Sequence, residues 1–206
     1  MKVYTPFLYL WLVVLLSSAC APTATPTQLA TVPELQPTSA GDFHSLDTRT
    51  GIQEIDRVLA ALESGHKQEL LDSIRYSAID CMTINALGGP PPCRDGEAEG
   101  TSVDVLPVLG PEGTYLWKDE SNNWPGLAVN GLYAVYRVSD SAYSDQYFPK
   151  GDYGIILVGE EDDPGIVLQI AEDGIVRIDY VMDNLPSALP NILEHDAVEV
   201  ILAPKE

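Results

Sequence analysis

Three short apolar runs, residues 153–158, 166–171 and 175–182, follow one another in close order near the C-terminal end of the chain. The connections between them, 159–165 and 172–174, carry Asp-Pro-Gly and Asp-Gly at their bends, which is hairpin chemistry. An antiparallel meander follows from this. In its last strand Val176, Ile178, Tyr180 and Met182 share one face, while Arg177 and Asp179 share the other. One face is therefore expected to pack on a core, and the other to meet solvent or line a cleft.

Upstream, the same period of two continues. Residues 132–138 place Leu132, Ala134, Tyr136 and Val138 on one face, with Tyr133, Val135 and Arg137 on the other. Residues 103–108 form a further short strand that Gly110-Pro111 ends, and a tail strand at 198–202 extends the sheet.

Before the strands the period is helical. Ile52, Ile55, Val58, Leu59 and Leu62 recur at spacings of three and four, with Glu54, Asp56 and Arg57 between them. Ser64-Gly65 closes this helix, because glycine adopts the left-handed conformation of a helix stop without strain. A shorter helix over 67–74 buries Leu70, Leu71 and Ile74. Helices first and strands afterwards define an α+β fold: two N-terminal helices packed on a curved antiparallel sheet that ends in a β-meander. At about 160 residues, 46–206 is the size of a single domain with a genuine core.

The order of an apolar helix over 55–62, the Ser64-Gly65 break, Leu70-Leu71 and a closing hairpin over 166–182 resembles the nuclear transport factor two-like cone. That resemblance implies an enclosed pocket. None of the carboxylate or histidine pairs that act in the family has a counterpart here, so the resemblance implies no reaction.

Cys81 and Cys93 bracket MTINALGGPPP. In an oxidising compartment two cysteines this close pair as a disulfide. Closing a loop of this length stabilises a fold by about 3 kcal/mol on the chain-entropy account. The bridge serves either as a staple on a long connection or as the base of a rigid recognition loop. A metal site is not expected, since there is no C-x-x-C and His44, His66 and His195 lie far apart.

At the N-terminus Lys2 precedes an unbroken apolar run over 7–16, and Ser17, Ser18 and Ala19 lead into Cys20. Charge, apolar run and small residues in that order make an export signal. The run falls short of the roughly 20 residues a spanning helix needs, and no basic stop follows it. The segment resembles the signal of bacterial lipoproteins, whose lipobox ends in the cysteine that takes the diacylglycerol. Ser17 stands where that family usually has leucine, with Leu16 one position further back. Ser17 and Ala19 also satisfy the rule for ordinary signal cleavage, which would leave Cys20 a plain thiol.

The cysteine count bears on the choice. Of three cysteines one is left over in an exported chain, and lipid on Cys20 accounts for it. The expected organisation is a signal peptide over 1–19, then a lipidated Cys20 and a disordered Thr/Pro-rich tether over 20–45, and the α+β domain over 46–206. The mature protein would face the periplasm or the cell exterior, with the membrane as a partner through its lipid.

With 31 acidic and 11 basic residues the net charge is −20, which repels nucleic acid. The acids are scattered, as on a solubilising surface. Their densest run, 160–163, sits on a bend and lacks the ligand spacing of a calcium loop. There is no G-x-S-x-G, H-E-x-x-H, phosphate loop or nucleotide fingerprint, and nothing calls for a cofactor.

The candidate binding face is Tyr133, Tyr136, Arg177 and Tyr180, with Trp117 and Trp124 from the preceding loop. The same aromatics serve equally as the core and rim of a sheet. The expectation is a binding or interaction module for a protein or small-molecule ligand. The alternative is a small hydrolase or isomerase with an enclosed pocket.

Overall fold

A stripe of apolar residues on one helix must find a greasy surface of matching width, and here a sheet supplies it. The structure is a computed structural model that describes residues 43–84, 88–110, 113–160, 165–181 and 185–205. Cys20, the leader before it and the Thr/Pro stretch lie outside these residues, as does most of the acidic run at 160–163.

Helix α1 (Gln53–Ser64) buries Ile55, Val58, Leu59 and Leu62, and α2 (Lys67–Asp72) buries Leu70 and Leu71. Gly65 separates them with a left-handed φ of 66°. Ile52 at the start of α1 cannot cap it. The Asp56 carboxylate instead reaches back to accept the backbone N–H groups of Thr50 and Gly51 at 2.7 and 3.0 Å.

The strands are β1 (Ser77–Asp80), β2 (Ser102–Leu109), β3 (Thr114–Trp117), β4 (Val129–Val138), β5 (Tyr153–Gly159), β6 (Gly165–Ala171), β7 (Gly174–Val181) and β8 (Ala197–Leu202). They form one sheet in the order β1-β2-β7-β6-β5-β4-β8, with β3 paired to β2. The meander β4 to β7 is antiparallel throughout.

The sheet as a whole is mixed. Val108 and Leu109 of β2 run parallel to Ile178 and Asp179 of β7, which corrects the expectation of a purely antiparallel sheet. Tight turns dictate direction only between consecutive strands. No turn joins β2 to β7, so nothing local sets their relative direction.

Both faces of the sheet are covered. Alternation along β5 and β6 sends Ile155, Leu157, Ile166, Leu168 and Ile170 into the core beneath α1 and α2. The intervening Ile156 and Val167 face the other way. There they meet Leu185 and Leu189 of a third helix, α3 (Leu185–Asp196), which the sequence pattern did not announce.

Two bulges reassign side chains that a strict period of two would misplace. Leu132 and Ala134 pair with the consecutive residues Leu157 and Ile156, so Tyr133 is an extra residue in β4. Leu132 and Val135 therefore enter the α1/α2 core, while Tyr133, Ala134 and Tyr136 enter the α3 core. Val176 is the extra residue in β7. Beyond it Ile178 and Tyr180 face α1 and α2, and Arg177 and Asp179 share the opposite face as expected.

Candidate functional site

The best-built site lies between α3 and the second face of the sheet. Its floor is Tyr136 of β4, whose register partner on β5 is Gly154. A Cβ on Gly154 would fall inside the tyrosine ring, so the glycine is what lets the ring settle on the sheet. Tyr136 is 0% exposed, its hydroxyl sealed from solvent beside the Gln169 side chain. Burial pushes its pKa up and the charges of Asp196 and Asp179 add to this, against the smaller opposing effects of a hydrogen bond from Gln169 and the charge of Arg177. The phenol is neutral at physiological pH.

Arg177 lies beside it, only 4% exposed. Its Nε and Nη2 donate to the two oxygens of Asp179 at 2.7 and 2.9 Å. Its Nη1 donates to the carbonyls of Tyr143, Phe148 and Pro149 at 3.1, 3.1 and 3.3 Å. Arg177 thus pins the 139–152 loop to the sheet and is committed to the fold. Gln169 assists, since its Oε1 accepts the Gly151 N–H at 3.1 Å.

Two carboxylates complete the site. Burial raises the pKa of Asp179, and the adjacent Arg177 only partly opposes this. Asp196 closes α3 on the stripe that carries Leu185, Ala188, Leu189 and Ile192. Burial raises its pKa too, opposed by Arg177 and by His195. Its carboxylate accepts no hydrogen bond from a described residue. Between these groups lies a cleft of about 280 Å³ walled by Val167, Val181, Ala188 and Ile192, with exposed Asn191 at its mouth.

The six residues singled out from the sequence do not make one face. Tyr136 and Tyr180 border the cleft, with Arg177 behind it, although the Tyr180 side chain also packs against the α1/α2 core. Tyr133 is buried in the α3 core. Trp124 packs against the α1/α2 core, and Trp117 joins the cluster around the disulfide. These aromatics are mainly core and rim. Gln169, Asp179 and Asp196 are the functional candidates missing from the sequence set.

Cys81 and Cys93 form a disulfide with an S–S distance of 2.03 Å. Next to it Arg94 donates to Glu97 at 2.8 and 3.0 Å and to Asp119 at 2.9 Å, and stacks 4.2 Å over the Trp117 ring. Its pKa is raised, first by Glu97 and then by Asp119. A hollow of about 430 Å³ opens beside Cys81, but its carboxylates, Asp80 and Glu99, are exposed to solvent.

Among the described residues no group of three or more His, Cys, Asp or Glu side chains is placed to hold a metal. No helix among them is long and apolar enough to cross a membrane. No protein-family model, curated protein or solved structure matches the chain. What fold and site define is therefore an α+β protein with a mixed eight-stranded sheet and a small acidic cleft beneath its last helix.

Proposed function

We propose that this is an extracytoplasmic lipoprotein, held at a membrane by lipid on Cys20, whose folded part binds a small ligand in the cleft beneath α3. Residues 21–45 serve as the spacer between anchor and fold. The order of charge, apolar run and small residues before Cys20 supports the anchor, and the Cys81–Cys93 disulfide fits an oxidising compartment.

The observation that carries the binding half is the cleft itself: a concavity of about 280 Å³ with apolar walls from Val167, Val181, Ala188 and Ile192 and the polar groups of Asp179, Asn191 and Asp196 converging on it. A mainly apolar concavity with a few convergent polar groups is the ordinary form of a small-ligand site.

A general acid–base enzyme is the second reading. It draws on Asp179 and Asp196, two carboxylates with raised pKa values in one cleft. Both oxygens of Asp179 already bond Arg177, however, which favours binding.

A fragment screen by NMR on the full chain in non-ionic micelles tests the cleft. Shifts should cluster at Tyr136, Val167 and Ile192 and vanish in Ala188→Leu, which fills the cleft. Hits centred on the disulfide hollow, or indifferent to Ala188→Leu, would remove the cleft from consideration.

A further inference from the structure

We infer that the outer edge of β1 is a strand-addition site. It takes an extended segment of another protein in which a lysine or arginine is flanked by apolar residues. The site is separate from the cleft beneath α3 and does not depend on it.

Register shows which backbone groups the edge offers. β1 pairs with β2 on one side, Ala78 opposite Asp104 and Asp80 opposite Ser102. The Asp104 carbonyl accepts the N–H of Lys118, just past β3, at 3.0 Å. Asp104 therefore turns its backbone away from β1, and in an antiparallel pair its partner Ala78 turns away likewise. One residue beyond Asp80, the Cys81 N–H donates inward to the Thr101 carbonyl at 2.9 Å, so Asp80 also faces outward. Ala78 and Asp80 each present an N–H and a C=O, the two sets about 7 Å apart. No described residue bonds these groups.

The chain already uses the edge once. Met82, next in the same alternation, donates to the Pro91 carbonyl at 3.0 Å and accepts the Cys93 N–H at 2.9 Å. Residues 91–93 thus lie against the edge as a single parallel bridge, held by the Cys81–Cys93 disulfide. Pro90, Pro91 and Pro92 have no N–H with which to extend that pairing. A guest strand has the remaining positions, and strand addition of this kind draws its affinity from main-chain bonds.

A hollow of about 430 Å³ opens here, lined by all of 78–82 and by Glu99, Gln146 and Tyr147 among others. Alternation sends Ile79 and Cys81 to the face on which Tyr147 packs, and Asp80 to the other. A guest residue opposite Asp80 shares its face, and the guest's next residue on either side turns toward Tyr147. The guest pattern that follows is apolar, basic, apolar.

Charge decides among the occupants. Asp80 and Glu99 give the hollow its charge, and its lining includes no lysine or arginine. A second copy of this chain would bring the same two carboxylates and a further net charge of −20. The chain's own 21–42 stretch has Glu34 and Asp42 and no lysine or arginine. A basic segment of a different protein complements the edge where these two do not.

The test is a peptide titration of the full chain in non-ionic micelles, followed by amide NMR. Acetyl-Thr-Val-Lys-Val-Thr-amide should bind saturably below about 10 mM, shifting Ala78, Asp80 and Met82 rather than Val167 and Ile192. An added strand pairs along one of its two edges. Of two versions, one methylated on the lysine and threonine backbone nitrogens and one on those of the valines, one should lose about tenfold and the other hold. Glutamate in place of the lysine should weaken binding about fivefold, and Asp80→Lys should reverse that preference. Ala78→Pro removes an outward N–H and leaves the β1–β2 bonds, so it should cost the lysine peptide about tenfold with little change in melting temperature.

Loss or retention by both methylated versions alike, or shifts centred on β8 at the opposite end of the sheet, would overturn strand addition at β1. Indifference to both the glutamate peptide and Asp80→Lys would overturn the basic partner, and absence of saturable binding would overturn both. Ala78 and Asp80 amides already protected from hydrogen exchange in the protein alone would assign the edge to the chain's own 21–42 stretch. Protection that grows with protein concentration would assign it to a second copy. Either result would overturn the proposal.

Discussion

The guanidinium of Arg177 points inward, and its donors are taken up by Asp179 and three backbone carbonyls. Methionine at this position would fill much of the same volume but leave the Asp179 carboxylate buried without its cation. Three carbonyls of the 139–152 loop would lose their donor as well. Breaking a buried pair from one side costs about 3–5 kcal/mol, so Arg177→Met should lower the urea midpoint by that equivalent. Removing both charges, as Arg177→Met with Asp179→Leu, should cost less than Arg177→Met alone, because no charge is orphaned. A cost under about 1 kcal/mol for the single variant would mean a solvated pair. The deficit should also shrink with acid. A carboxyl group whose folded pKa lies above its unfolded value favours the folded state increasingly as pH falls through the folded value toward 3.8. Alternation along β7 shows that Arg177 and Asp179 share a face. It does not show that face to be covered, since the covering comes from α3 and a loop distant in sequence.

Each secondary element was legible to the extent that its own residues determine it. The stripe of α1, the glycine stop and the turn at 172–174 are local, and each lies where its residues put it. β1 and β3 are four residues each and carry too few alternations to register. In α3 the spacing of Leu185, Ala188, Leu189 and Ile192 is helical, but Pro190 sits inside the helix, where proline removes a hydrogen bond and usually marks a boundary. The same proline hides Asp196, which extends that stripe. Strict alternation fails in β4 because one extra residue at Tyr133 reverses it, and the strand's own sequence does not mark a bulge. The disulfide loop is local again. Replacing Cys81 and Cys93 together by alanine should cost about 3 kcal/mol, which for a protein of this size is about 6–12 °C in melting temperature. The backbone bonds from Met82 to Pro91 at 3.0 Å and from Cys93 to Met82 at 2.9 Å remain, so the strands beneath should stay paired. Since Cys81 belongs to a hydrophobic cluster separate from that of Tyr136, ligand shifts in the α3 cleft should survive the double substitution. An unchanged melting temperature would show that the bridge does not stabilise the fold.

On the scale of the whole molecule, charge and anchoring pull in opposite directions. A chain of net charge −20 is repelled by an anionic bilayer, so electrostatics cannot bring it to a membrane. No described helix can cross one. Acyl chains on Cys20 would supply a hydrophobic attraction confined to a small part of the chain, at about 0.8 kcal/mol per buried methylene. Two opposite responses to treatment follow. Raising the salt should leave the wild-type chain in the membrane fraction, because screening removes only a repulsion. Cys20→Ser should move it to the soluble fraction and abolish incorporation of radiolabelled fatty acid, with the Cys81–Cys93 disulfide intact. Release of the wild-type chain by salt would point to attachment through a basic partner instead. Label retained after Cys20→Ser would place the lipid elsewhere, and an unlabelled variant that still pellets with membranes would make residues 7–16 an uncut hydrophobic anchor.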